Sequence, residues 1–199
     1  MVKVAIFDYG AGNIFSLKNS LEKADAQVDV ITSFDKSSDY SGILLPGVGN
    51  FDPAIKSIRD YSKTQFKDYV QNKIPVLGIC LGMEMFFEKS EEGNEKGLGV
   101  IDGEVVILPN SMKVPHMGWN QANIQQRAPI FEGIDDLTHF YFVHSYFVVP
   151  SDPKVVAIET QYHQPFCAAI WRDNLFATQF HPEKSQANGL RILKNFAEL

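Results

Sequence analysis

Two short stretches of the chain carry residue types that do nucleophilic chemistry. The first is Gly78-Ile79-Cys80-Leu81-Gly82, a cysteine between two glycines, with an apolar run before it and a helix-like run after it. That is the setting of a nucleophile elbow, a sharp strand-to-helix turn that lifts one side chain above a sheet. The glycines are needed because a Cβ on either side would clash where the chain doubles back. A cysteine at a helix N-terminus sees the positive end of the dipole, which favours thiolate over thiol. The next backbone N–H, on Leu81, is left free to hold an oxyanion. A lone cysteine is more often a small buried hydrophobe. The flanking glycines reverse that reading for Cys80, whereas Cys167, inside Phe166-Cys167-Ala168-Ala169-Ile170, keeps it.

The second stretch supplies a base. A catalytic cysteine needs a group that takes a proton and later returns it to the leaving group. Of His116, His139, His144, His163 and His181, only His181 has a carboxylate at the right offset, in Gln179-Phe180-His181-Pro182-Glu183. Residues two apart in extended chain face the same side. Glu183 can therefore hold the imidazole, fix its tautomer and stabilise the imidazolium, with Pro182 stiffening the spacer. His139 and His144 lack metal-ligand spacing and read as structural. Neither motif is specific alone; both at strand ends make a coherent site.

These residues need a scaffold that brings strand ends together. Val2–Phe7 reads as a buried strand, and Asn13 caps a helix with Ile14, Leu17, Leu21 and Ala24 on its apolar face. Strands follow near Gln27–Thr32 and at Gly42–Leu45, the latter stopped by Pro46-Gly47-Val48-Gly49. Asp52, as N-cap, and Pro53 open a helix that runs to about Asn72, with a break expected near Ser62. Val76–Ile79 is a fourth strand and Leu81–Lys89 reads as a helix. Alternating strands and helices imply βαβ units and a parallel sheet covered on both faces. Sites in such sheets collect at the carboxyl ends of strands, where Cys80 falls. The second half reads as strands at Val100–Leu108, Trp119–Ile124, Phe140–Val149, Val155–Thr160, Pro165–Trp171 and Leu175–Phe180, closed by a helix over Gln186–Phe196 with Leu190, Leu193 and Phe196 inward. The expected fold class is α/β: an open, mostly parallel, flavodoxin-like sheet flanked by helices, with added antiparallel strands in the second half. The charge run Glu88–Lys96 reads as a solvated loop.

Composition bounds the function. The 199 residues suit one domain, 1–199, and 45% of them are hydrophobic against 21% charged. A net charge of −6 argues against nucleic acid as the main partner. No apolar run is long enough to span a membrane, the start lacks a signal-peptide pattern, and two unpaired cysteines make a reducing cytoplasm the expected location. Nothing in the residues calls for a cofactor or metal.

With these segments in place the sequence resembles the class I (triad) glutamine amidotransferases. Within them it is similar to the family of glutaminase subunits of imidazole glycerol phosphate synthase. The resemblance rests on Asp8-Tyr9-Gly10-Ala11-Gly12-Asn13, Pro46-Gly47-Val48-Gly49, Gly78-Ile79-Cys80-Leu81-Gly82-Met83, Pro115-His116-Met117-Gly118-Trp119-Asn120, Tyr141-Phe142-Val143-His144-Ser145-Tyr146 and Phe180-His181-Pro182-Glu183-Lys184-Ser185, and so runs from end to end. It implies that Cys80 attacks the carboxamide carbon of glutamine, that Leu81 and the Gly47–Gly49 loop hold the oxyanion, and that His181, oriented by Glu183, moves the protons. It implies glutamine recognition by the Gly49 region, by residue 84 and by the backbone of His144, Ser145 and Tyr146. It implies no cofactor, and a heterodimer partner, a (β/α)8-barrel cyclase subunit that receives the ammonia. Candidate contacts with that partner are Asn13, Met117, Trp119, Tyr141 and Lys184, with Met117, Gly118 and Trp119 at the ammonia exit; plain core is the competing reading of Trp119.

One position departs from the family's pattern. Glutamine usually stands four residues after the nucleophile, and this chain has Glu84. An ionised carboxylate accepts but does not donate, and its charge opposes thiolate formation. Glu84 therefore points away, is protonated, or weakens substrate binding, and Glu84→Gln is expected to raise activity. The glycines beside Val48 would let its peptide flip, so that the partner completes the oxyanion hole. Three other readings stay open: a non-catalytic homologue, a glutaminase serving a different synthase, and a cysteine peptidase or γ-glutamyl hydrolase.

Overall fold

The computed structural model describes residues 2–33, 40–71, 74–111 and 113–199. Among them, strands β1 (Lys3–Phe7), β2 (Gln27–Ile31), β3 (Gly42–Leu45) and β4 (Val76–Ile79) alternate with helices α1 (Ile14–Lys23) and α2 (Phe51–Gln71). A one-turn helix, α3 (Leu81–Glu84), follows β4. Next come β5 (Lys89–Ser90), β6 (Gly103–Ile107), β7 (His116–Ile124), β8 (Thr138–His144), β9 (Tyr146–Pro150), β10 (Val156–Tyr162), β11 (Gln164–Arg172) and β12 (Leu175–Thr178), and then helix α4 (Gln186–Ala197).

The strands join in one sheet with the path β2-β1-β3-β4-β12-β11-β10-β7-β8. The first five on this path run parallel, and from β11 onward the pairing is antiparallel. β5, β6 and β9 form a side branch that rejoins through β11. Successive residues of β1 point to opposite faces, as the period of two requires. Val4 and Ile6 pack with Leu44, Leu77 and Ile79 against α1 and α4, whereas Ala5 and Phe7 pack with Ile43, Leu45 and Val76 against α2. Both faces are covered, which is why these strands read as nearly continuous apolar runs.

Most elements fall where the sequence places them. Asn13 caps α1, its side-chain oxygen accepting from the Ser16 N–H at 3.1 Å. Six expectations fail. α2 runs unbroken through Ser62, and Asn72 lies outside the described residues. It begins at Phe51, so Asp52 is not its cap; the Phe51 N–H is satisfied by the Glu92 carboxylate at 2.9 Å. Asp52 instead accepts from the N–H groups of Asn94 (3.1 Å) and Glu95 (2.9 Å), while Glu95 pairs with Arg59 at 2.7 Å. The charge run is thus a loop pinned to α2, not a freely solvated one. The helix expected over Leu81–Lys89 stops at Glu84 because the 97–101 loop claims the carbonyls a longer helix would need: Leu98 N–H binds Met85 O at 2.9 Å and Val100 N–H binds Phe86 O at 2.9 Å. The run Phe140–Val149 is two strands, since the chain changes partner at Ser145, leaving β7 for β6. In α4 the inward face is Ile192, Leu193 and Phe196, with Leu190 only half-buried.

Candidate active site

The site grows from one register. β4 and β12 are parallel neighbours with Ile79 opposite Thr178, and the Cys80 N–H donates to Thr178 O at 2.7 Å. Cys80 and Gln179 therefore leave the carboxyl ends of adjacent strands side by side, and His181 follows two residues on. Cys80 adopts φ 54°, ψ −109°, a conformation that costs a side-chain-bearing residue about 1–3 kcal/mol and that packing must enforce. The packing is visible: a Cβ on Gly82 would lie 1.9 Å from Leu45 O, and one on Gly47 would lie 2.5 Å from Leu81 Cβ and 2.9 Å from the Tyr9 hydroxyl. Tyr9 in turn donates to Pro46 O, tying down the near end of the Gly47–Gly49 loop. The far end is open: Gly49 sits at φ +122° with nothing close to its Cβ position, and Val48 is exposed.

His181 is held from three sides. Its N–H donates to Tyr141 O at 2.9 Å, its carbonyl accepts from Ser185 Oγ at 2.7 Å, and its Nδ1 lies 2.8 Å from Glu183 Oε1. The carboxylate accepts, so Nδ1 carries the proton and Nε2 presents a lone pair. That Nε2 is buried with no hydrogen-bond partner among the described residues. In this state the Cys80 sulfur contacts the Val143 carbonyl at 4.0 Å and the Gln179 amide Nε2 at 3.7 Å.

A pocket opens at the sulfur, with Gly49, Leu81, Glu84, Ser145, Tyr146 and Lys184 in its wall. The thiol itself is not activated by its position. Burial pushes its pKa well up and the charge of Glu84 adds to that, while the Leu81 N–H and the Gln179 amide pull it down by a smaller amount. The expected help from the helix N-terminus is present in the Leu81 N–H, but it is outweighed by desolvation, α3 being a single turn. Glu84 does not point away: it lines the pocket, is 4% exposed, and accepts from Gln179 Nε2 at 3.2 Å. Burial pushes its carboxyl up to about 8, with Gln179 lowering and Glu92 raising it by less, so at neutral pH it is a neutral acid.

Three features lie beyond what the sequence motifs indicate. Gln179 bridges the nucleophile and residue 84; its place two before His181, on the same side of extended chain, is the available signal. Glu92 reaches the pocket from the charge run. His116 and His144 form a buried pair, Nδ1 to Nε2 at 2.9 Å, with His144 Nδ1 at 2.7 Å from Tyr146 O and Asn120 Nδ2 at 3.3 Å from His116 Nε2. The Tyr146 carbonyl must accept, so the donors run in one direction from Asn120 to the pocket wall. Burial lowers His116 to about 4 and His144 to about 3, keeping both rings neutral. His139 is exposed, and Cys167 is buried in β11 as expected.

Of the residues assigned to a partner contact, Lys184 lines the pocket, Asn13, Met117 and Trp119 are exposed, and Tyr141 is half-buried. Met117 is 62% and Trp119 46% exposed, so Trp119 is not plain core. Trp119 packs edge-on to Tyr141, whose ring lies under Lys184 Nζ, and Asn13 is exposed where it caps α1. No helix among the described residues is long and apolar enough to cross a membrane.

Comparison with known proteins agrees with this geometry. Residues 5–199 match the family model described as glutamine amidotransferase class-I. Among curated relatives, the imidazole glycerol phosphate synthase subunit HisH of Syntrophotalea carbinolica is 46% identical, covering 98% of this chain and 100% of that one. The subunit of the same name from Methanocaldococcus jannaschii is 45% identical, covering 98% and 99%. Among solved structures, PurLQS from Thermotoga maritima superposes with a TM-score of 0.79 at 15% identity, over 99% of this chain and 98% of that one. A glutamine amidotransferase from Thermotoga maritima gives 0.66 at 15% identity, over 92% and 76%.

Proposed function

The chain belongs to the class I glutamine amidotransferase family, and from that premise we propose that it is the glutaminase subunit of imidazole glycerol phosphate synthase, releasing ammonia from glutamine for histidine biosynthesis. Cys80, as thiolate, attacks the side-chain carboxamide carbon. The oxyanion is held by the Leu81 N–H and by an N–H of the Gly47–Gly49 loop. His181, having taken the thiol proton on Nε2, gives it to the departing nitrogen, and ammonia leaves with a thioester behind it. His181 Nε2 then takes a proton from water as water attacks the thioester, and returns it to the Cys80 sulfur as the C–S bond breaks and glutamate departs. Glu183 stabilises the imidazolium through each step. Glutamine is recognised by Glu84, the Gly49 region and the backbone of His144, Ser145 and Tyr146.

The observation that carries this reading is the imidazole at the end of β12: one nitrogen is fixed on a buried carboxylate, and the other is desolvated and unpartnered beside the strand that ends in Cys80. A buried orphan lone pair is costly, and catalysis is a reason to keep it.

Ammonia becomes ammonium in neutral water and stops being a nucleophile, so a glutaminase is useful only when docked to its synthase. The relatives are named as subunits of imidazole glycerol phosphate synthase, which supports a partner from that complex; in this reading it is the cyclase subunit, in a heterodimer. Asn13, Met117, Trp119, Tyr141 and Lys184 provide the contact surface. Gly49 has room to rotate whereas Gly47 is wedged against Leu81, so a peptide flip at Val48 on docking would use the Gly49 side. The test is glutamate release by the purified chain, alone and with the cyclase plus its substrate. Stimulation by the cyclase, lost in Cys80→Ala, is expected. Equal turnover with and without it removes the partner assignment, and no labelling of Cys80 by a glutamine-derived diazoketone removes the glutaminase itself.

A further inference from the structure

Gln179 is fully buried at the end of β12, and its amide touches two groups of the site at once. Nε2 lies 3.7 Å from the Cys80 sulfur and 3.2 Å from Glu84 Oε1, while the Gln179 Oε1 is buried with no partner among the described residues. An amide kept in so poorly satisfied a position is held there by something other than stability. No lysine or arginine among the described residues forms an ion pair with Glu84. The groups facing it are Cys80 from the elbow, Tyr9 after β1, Glu92 from the charge run, Tyr146 from β9 and, across the pocket, Lys184.

Resting on the glutaminase reading above, we infer that Gln179 is a catalytic residue whose amide N–H stabilises the Cys80 thiolate, and that Glu84 works as a neutral acid whose ionisation draws that N–H away and suppresses the thiolate. When Glu84 is neutral, its carbonyl oxygen competes weakly and the donor is available to sulfur. When it is charged, a full carboxylate takes the same N–H and repels a second negative charge one helical turn away. The burial that pushes the carboxyl up to about 8 puts the changeover just above neutral pH. Replacing the family's usual glutamine by a glutamate thus gives this chain an alkaline brake on its nucleophile.

The test follows iodoacetamide alkylation of Cys80 against pH by mass spectrometry of its peptide, for the full chain, Gln179→Met and Glu84→Gln. Below its own pKa a thiol's alkylation rate rises about tenfold per pH unit. The unchanged chain should follow that slope up to about pH 8 and then flatten as Glu84 ionises, whereas Glu84→Gln should keep the slope and alkylate about tenfold faster above the changeover. Gln179→Met should alkylate about tenfold more slowly below the changeover, since it loses a hydrogen bond to a charged sulfur, and the difference should shrink above it, where Glu84 has already taken the donor. Gln179→Asn, which keeps polarity but not reach, should slow it likewise; near-ultraviolet circular dichroism checks that both are folded. In turnover, Gln179→Met should lose kcat with KM within about twofold, as expected for a group that acts on the nucleophile. Alkylation profiles of folded Gln179 variants that superpose on that of the unchanged chain overturn the role of Gln179. A slope that never flattens, or flattens equally in Glu84→Gln, overturns the brake. Diazoketone labelling of the unchanged chain, run in parallel, shows separately whether the glutaminase reading stands.

Discussion

The charge state of Glu84 has a consequence for stability that needs no activity measurement. In the unfolded chain this carboxyl titrates at its ordinary value of 4.5, and in the folded chain burial holds its proton to about 8. Between these values the folded state binds more protons than the unfolded state, so stability falls as pH rises through the window and levels off above it. From about pH 5 to about pH 7 the integrated loss is about 2–3 kcal/mol, and it grows to about 4 kcal/mol by about pH 9. Glutamine at the same position does not titrate, so Glu84→Gln removes this dependence. In a chain of this size 1 kcal/mol moves Tm by about 2–4 °C, so the variant's advantage in Tm should widen by about 5–10 °C between about pH 5 and about pH 7. Differential scanning calorimetry of both proteins across that range measures it, and titrating groups that do not interact with Glu84 cancel in the difference. A difference in Tm that stays constant with pH would refute the claim that the folded protein keeps Glu84 protonated. The same reasoning revises the expectation for catalysis: the gain from Glu84→Gln should be small at neutral pH and appear on the alkaline side.

Other substitutions probe the parts separately. Gly82→Ala puts a Cβ 1.9 Å from the Leu45 carbonyl, a backbone atom that cannot yield, so a loss of about 3 kcal/mol or more is expected in urea melts. Glu183→Gln keeps the shape but removes the charge that steadies the imidazolium, so kcat should fall by about 10²–10⁴ with little change in KM; activity within about twofold of the unchanged chain would take Glu183 out of the site. Trp119→Ala removes a half-exposed ring, so Tm should move by less than about 3 °C while stimulation of glutamate release by the cyclase is lost.

Features that depend on near neighbours in sequence are legible in the residues. β3 and β4 fall to the residue where the sequence puts them, because both faces of a parallel strand are buried and turn residues bound the run: Gly42–Leu45 stops at Pro46-Gly47, and Val76–Ile79 follows Pro75. The His181–Glu183 pair is legible because the two are near neighbours in sequence, although they meet across a 3-10 turn, Pro182–Lys184, rather than along extended chain. Misplaced features depend on distant chain. Nothing in Leu81–Lys89 shows that its carbonyls will be taken by residues 97–101, and nothing in Phe51-Asp52-Pro53 shows that Glu92 will supply the cap.

Glu84 is the sharpest instance. Its spacing from Cys80 puts it in the site, but its chemistry there is undetermined by spacing, because an acid's charge is set by what surrounds it. Gln179, ninety-five positions away, supplies a donor too weak to offset desolvation, and Glu92 adds a like charge, so the carboxyl keeps its proton. A lysine in place of Gln179 would ionise it and, with the same stroke, place a second anion beside the sulfur. A neutral amide at 179 is what makes a glutamate at 84 compatible with a working nucleophile, and the two positions should be treated as one functional unit.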